Sequence, residues 1–86
     1  MSLRTGNQIK AARALADLNQ QQLAEAAGVN VNTIRNMEAR GGQLLSSGLD
    51  TVTKVQRTLE AAGVEFIAEN GGGAGVRLAK PRAPRE

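Results

Sequence analysis

No cysteine, histidine, tryptophan or tyrosine occurs among the 86 residues, and Phe66 is the lone aromatic side chain. Without cysteine, no disulfide can staple a small fold. Without cysteine and histidine together, Cys/His zinc sites, Ser-His and Cys-His nucleophile pairs and imidazole acid–base chemistry are excluded. A single aromatic argues against single-strand or RNA binding by base stacking, which needs aromatic platforms. No apolar run approaches the ~20 residues of a membrane span. No basic start precedes an apolar signal core. The carboxylates Asp17, Glu25, Asp50 and Glu60 are scattered on helix exteriors, so nothing gathers two of them for acid–base work. These absences predict a cytoplasmic protein that is not an enzyme, carries no metal or cofactor, and has no membrane partner.

What is present is one small domain's worth of chain, with a thin core to match. Apolar residues make up 41% and charged residues 22%, an ordinary globular balance. Lysine and arginine number 11 against 8 acidic residues, a net charge of +3, and the sequence pI is about 10.2. A basic balance of this kind suits a nucleic-acid partner. With so few aromatics, that partner should be a duplex read by polar side chains.

Helix signals recur along the first three quarters of the chain. Thr5 followed by Gln8 is a capping-box pattern, and Ile9, Ala12 and Ala16 at helical spacing predict a helix over 6–16. Asn19 is a strong N-cap with Gln22 three residues on, and Leu18 can staple onto Leu23. That helix runs to Ala27 and stops at Gly28, since glycine enters the left-handed conformation without steric cost. The grammar repeats at once, with Asn30 as cap and Val29 stapling onto Ile34, predicting a helix over 31–38. The breaker-rich segment 40–48 reads as a loop with Leu44 and Leu45 tucked inward. Ser47 with Asp50 opens a fourth helix, with Leu49, Val52, Val55, Leu59 and Ala62 as its buried stripe and Gly63 as its stop.

The pattern then changes to strand chemistry. Val64–Ala68 and Val76–Leu78 flank the glycine-rich run Asn70–Gly75, a hairpin in which Val64, Phe66, Ala68, Val76 and Leu78 share the apolar face. The glycine run lacks the Gly-Lys-Ser/Thr ending of a phosphate loop. The hairpin is expected to pack on the fourth helix. Residues 80–86 hold two prolines and no core residue, and are expected to be a disordered tail. The organisation is therefore a helical domain over 1–63, a β-hairpin extension over 64–79 and a tail over 80–86.

Two short helices joined through Gly28-Val29-Asn30 have the sequence form of a helix-turn-helix. Ala24 and Ala27 allow close crossing, and Ile34 and Met37 face inward from the second helix of the pair. Its other face carries Asn32, Arg35 and Asn36, which share one stripe. Asparagine suits the N6/N7 edge of adenine and arginine the O6/N7 edge of guanine. Such a stripe is what major-groove reading requires, although polar residues on a helix exterior also make an ordinary solvated surface.

The run from Asn19 to Glu38 resembles the helix-turn-helix of the lambda-repressor and Cro-like (XRE) family. It has a capping polar residue, then Gln, then Leu23-Ala24, Gly28-Val29-Asn30, Ile34 within the recognition helix, and a closing Met37-Glu38 pair. The resemblance implies a mainly α fold of four to five helices, here with a C-terminal β-hairpin. It also implies DNA binding as a homodimer on a palindromic operator, and transcriptional regulation, chiefly repression. Carried over by position, Gln20 is the expected phosphate contact. Val31, Asn32, Thr33 and Asn36 fall where bases are read, Asn30 and Arg35 where bases or phosphates are contacted, and Arg40 on the backbone-contacting loop. Val31 departs from the Gln or Arg that relatives often carry there; it has no hydrogen bond to offer but can pack on a thymine methyl. Arg13 and Glu38 resemble the family's ion pair between its first helix and the end of its recognition helix. A second reading, compatible with the first, is an antitoxin-type interaction module that binds its own operator and uses residues 64–86 to hold a toxin partner.

Overall fold

The computed structural model describes residues 3–68 and 71–79. Its first three helices begin where a side chain answers the unpaired N–H groups of the first turn. Helix α1 (Gly6–Ala16) opens on a capping box: the Gln8 N–H donates to Thr5 Oγ1 at 3.3 Å, and the Thr5 N–H donates to Gln8 Oε1 at 3.0 Å. Helix α2 (Gln20–Ala27) repeats the device, with Gln22 N–H to Asn19 Oδ1 at 2.7 Å and Asn19 N–H to Gln22 Oε1 at 2.9 Å. Helix α3 (Val31–Ala39) is capped by Asn30, whose Oδ1 accepts the Asn32 N–H at 2.8 Å, and runs one residue past the predicted end. Gly28 closes α2 with φ of 71°, the left-handed conformation expected of it.

Helix α4 (Leu49–Ala61) corrects the sequence reading in two respects. Its N-cap is Gly48, with no side-chain hydrogen bond, and not Ser47. Glycine is well tolerated at that half-in position but costs conformational entropy inside the helix, so the start moves past it. Leu49, expected in the buried stripe, is 71% exposed. It sits one turn beyond the end of the core, which Val52, Val55 and Leu59 fill from this helix.

The preceding loop brings a third correction. Leu44 is exposed while Leu45 is half-buried against the core. Here the chain runs extended beside the N-terminal segment: Thr5 and Leu44 form a β-bridge, and the Leu45 N–H donates to the Arg4 carbonyl at 2.8 Å. Successive side chains of extended backbone point to opposite sides, so only one of two neighbouring leucines can turn inward.

The hairpin consists of β1 (Val64–Ile67) and β2 (Gly75–Leu78), antiparallel, with Val64 opposite Leu78, Glu65 opposite Arg77, Phe66 opposite Val76 and Ile67 opposite Gly75. Val64 and Phe66 are buried in the same core as Ile9, Leu23, Ile34 and Leu59. Val76 packs on that core from the second strand. The hairpin rests on α1 as well as on α4. The buried Gln8 side chain fixes the α1 contact: its Nε2 donates to the Gly75 carbonyl at 3.2 Å, while its Oε1 accepts the Arg4 and Thr5 N–H groups. The tail expected over 80–86 lies outside the described residues.

Helices α1 and α3 approach closely at Gly6. A Cβ added there would land on the Met37 carbonyl oxygen and within 2.8 Å of that of Glu38. The Asn7 N–H donates to the Gly41 carbonyl at 2.9 Å, so the start of α1 also satisfies the chain leaving α3. Because the obstructing atoms are backbone, Gly6→Ala has no side chain to push aside. It is expected to destabilise the fold by about 3 kcal/mol or more. Ala11→Gly on the exposed side of the same helix should cost only about 1 kcal/mol. Urea unfolding of the two variants provides the comparison.

Candidate nucleic-acid interface

Helix α3 has one face in the core, through Ile34, Met37 and Glu38, and the opposite face in solvent. Glu38 is the element of that buried face that apolar packing does not explain. Its side chain is 2% exposed and accepts three hydrogen bonds. Arg13 Nε donates to Oε2 at 2.6 Å and Arg13 Nη2 to Oε1 at 2.9 Å, a bidentate fork. Gln20 Nε2 donates to Oε1 at 3.1 Å. Arg13 also donates through Nη1 to the Leu18 carbonyl at 3.2 Å. One carboxylate thus ties α1, the first residue of α2 and the end of α3 together. The hydrogen bond to Glu38 and its charge raise the Arg13 pKa above its ordinary value, against the opposing effect of burial. The guanidinium's contribution is therefore fully present below the ordinary arginine range and is lost only at still higher pH, so Arg13 stays charged at any working pH.

Gln20, expected at phosphate, is half-buried, and its amide N–H is directed at Glu38. The sequence did not indicate this tie.

On the outer face of α3, Asn32, Arg35 and Asn36 are all exposed. Arg35 Nη1 donates to Asn32 Oδ1 at 2.9 Å. The Asn36 side chain makes no hydrogen bond among the described residues. Asn30 is exposed, with its oxygen engaged in the cap. Val31 and Thr33 are half-buried on the flanks, and Val31 packs against the core margin. Arg40 is exposed, but its guanidinium is anchored: Nε and Nη2 both donate to the Leu44 carbonyl, at 3.1 and 3.0 Å. That fixes a cation on the loop after α3. Arg4, exposed on the segment that pairs with Leu44 and Leu45, adds a second cation which sequence reasoning did not single out. Among the described residues no group of three acidic, histidine or cysteine side chains is placed to hold a metal ion, and no helix is long and apolar enough to cross a membrane.

The asymmetry of the ion pair gives a test. Arg13 is 20% exposed and Glu38 only 2%. Arg13→Ala strands the deeper charge and should cost about 3–5 kcal/mol, more than Glu38→Ala, whose stranded arginine can reach water. Denaturation at neutral pH measures the difference; equal melting of parent and variant would dismiss the network as a stabilising element.

Residues 9–44, which span α1 from Ile9 onward, all of α2 and α3 and the start of the following loop, match a family model described as helix-turn-helix. No curated protein matches the chain. The matched segment, its three-residue turn and the polar outer face of its second helix agree with one another: residues 9–44 form a helix-turn-helix of the lambda-repressor/Cro-like (XRE) type, which supports a DNA-binding regulator of that type.

Proposed function

We propose that this protein is a sequence-specific regulator of transcription that reads the major groove of duplex DNA with α3 and acts by occupying its operator. The observation that carries this reading is the exposed stripe Asn32-Arg35-Asn36 on a helix whose opposite face is fixed through Glu38. A helix can report sequence only if its backbone angle to the groove is set by something other than the DNA. Arg40 and Arg4 beside the α3–α4 loop are proposed as phosphate contacts, which position the protein without reading bases. Gln20 is proposed to meet phosphate through the backbone N–H groups of the α2 start, since its side chain is committed to Glu38. Val31 and Thr33 are proposed to flank the read base pairs. Repression is the proposed mode because occupancy of a promoter requires nothing beyond DNA binding.

One recognition helix reads too few base pairs to select a genomic site. Binding as a two-fold homodimer on half-sites ~34 Å apart resolves this. The proposed contact is the outer surface of the hairpin, residues 64–79. There Ile67 is 36% exposed beside Gly75, and Arg77 Nε donates to Glu65 Oε1 at 2.7 Å. Among the described residues the sheet has two strands, a form that offers its edges for pairing with another chain. Removing the hairpin would strip Val64 and Phe66 from the core, so a surface substitution is the cleaner probe.

Selection from a random duplex pool should enrich a palindrome. Asn36→Ala should weaken binding to it by about 1–3 kcal/mol and leave binding to unrelated DNA unchanged. Binding that is only salt-sensitive and blind to sequence would overturn base reading. In sedimentation at tens of micromolar, the parent should be a dimer and Ile67→Lys a monomer with an unchanged melting temperature. A dimeric Ile67→Lys would move the interface elsewhere.

A further inference from the structure

The amino end of α3 presents hydrogen-bond donors and almost no acceptors. Asn30 Oδ1 is taken by the Asn32 N–H at 2.8 Å. Asn32 Oδ1 is taken by Arg35 Nη1 at 2.9 Å. Both amide orientations are fixed by chemistry, because a backbone N–H and a guanidinium N–H can only donate. What remains facing outward is the Asn30 and Asn32 NH₂ groups and the other N–H groups of Arg35. Helical side chains lean toward the amino end of their helix. The bond to Asn32 therefore holds the Arg35 guanidinium at the end of α3 that enters the groove in a helix-turn-helix.

Base edges differ in what they offer such a surface. Guanine presents two acceptors, N7 and O6, in the major groove; adenine presents one acceptor and one donor, and cytosine a donor. Asparagine reads adenine by giving one hydrogen bond and accepting another, and here its acceptor is occupied. An adenine N6–H approaching the second lone pair of Asn32 Oδ1 would lie beside a cationic N–H, donor against donor.

We propose that Arg35 reads a guanine in each half-site and that Asn32 is its positioning residue, holding the guanidinium by its amide oxygen instead of reading adenine itself. This rests on the base-reading function proposed above. It leaves Asn36, whose amide has both ends free, as the asparagine able to read adenine.

The experiment is random-pool selection followed by affinity measurement on the enriched duplex, using the full chain as wild type, Asn32→Ala, Arg35→Ala and the double variant. The wild type should enrich a guanine whose replacement costs roughly 5- to 150-fold in affinity. Arg35→Ala should lose that preference. Asn32→Ala should weaken it at the same base pair, and the double variant should bind as Arg35→Ala does, since the two side chains act as one unit. Substituting 7-deazaguanine at that position removes the N7 acceptor and keeps the pairing. The wild type should lose affinity for this duplex relative to guanine, and Arg35→Ala should not distinguish the two. Relaxation by Asn32→Ala at a separate A·T pair, or additive losses in the double variant, would overturn the inference while leaving base reading intact. A wild type that enriches no sequence would overturn base reading and this inference with it.

Discussion

A buried carboxylate governs the geometry of this protein. Taking Glu38 out of water costs several kcal/mol, and only close, well-directed donors offset that. Three N–H groups do so, two from Arg13 and one from Gln20, and the three residues lie on three different helices. Apolar packing is non-directional and tolerates small slips of one helix on another. A bidentate fork with a 2.6 Å arm does not, so the network fixes the angle of α3 where hydrophobic contact alone would leave latitude. In a core this small, the contribution is to orientation more than to net stability, because the same volume filled by apolar side chains would cost no desolvation.

Around that point, the α1–α3 contact is made as short as backbone allows. Gly6 brings the first turn of α1 against the Met37 and Glu38 carbonyls, and the Asn7 N–H reaches Gly41. Gln8, two residues on, carries the constraint to the other end of the chain through Gly75. The hairpin is thereby joined to the helix that holds Glu38. The strands complete the hydrophobic core with Val64 and Phe66, supplying apolar surface that four short helices lack.

The outer face of α3 shows how local bonds restrict what a recognition surface can say. Asn30 and Asn32 have the same side chain and both are exposed, yet each has committed its oxygen, one to the helix cap and the other to Arg35. Residue type alone gives an asparagine both donor and acceptor; the neighbouring hydrogen bond decides which of them a ligand meets.

Much of this was legible in the sequence. The three side-chain caps, the Gly28 turn, the helix-turn-helix, the pair of strands and the exposed stripe on α3 are all set by interactions within one turn or one pair of strands, and local residue patterns determine them. The four helices and the C-terminal hairpin follow from those patterns. The places where expectation and structure part are those where a distant segment decides. Leu44 and Leu49 read as core residues because they are apolar and suitably spaced, but the N-terminal strand-like segment imposes an alternation on one and the core ends short of the other. Gln20 reads as a surface contact, but Glu38 lies 18 positions away in sequence and within hydrogen-bond reach in space. The hairpin packs on α4 as expected, but its further tie to α1 through Gln8 depends on residues far apart in the chain. Capping and turn chemistry depend on neighbours along the chain, whereas burial depends on which atoms from elsewhere fill the remaining space, and that only the packed tertiary structure decides.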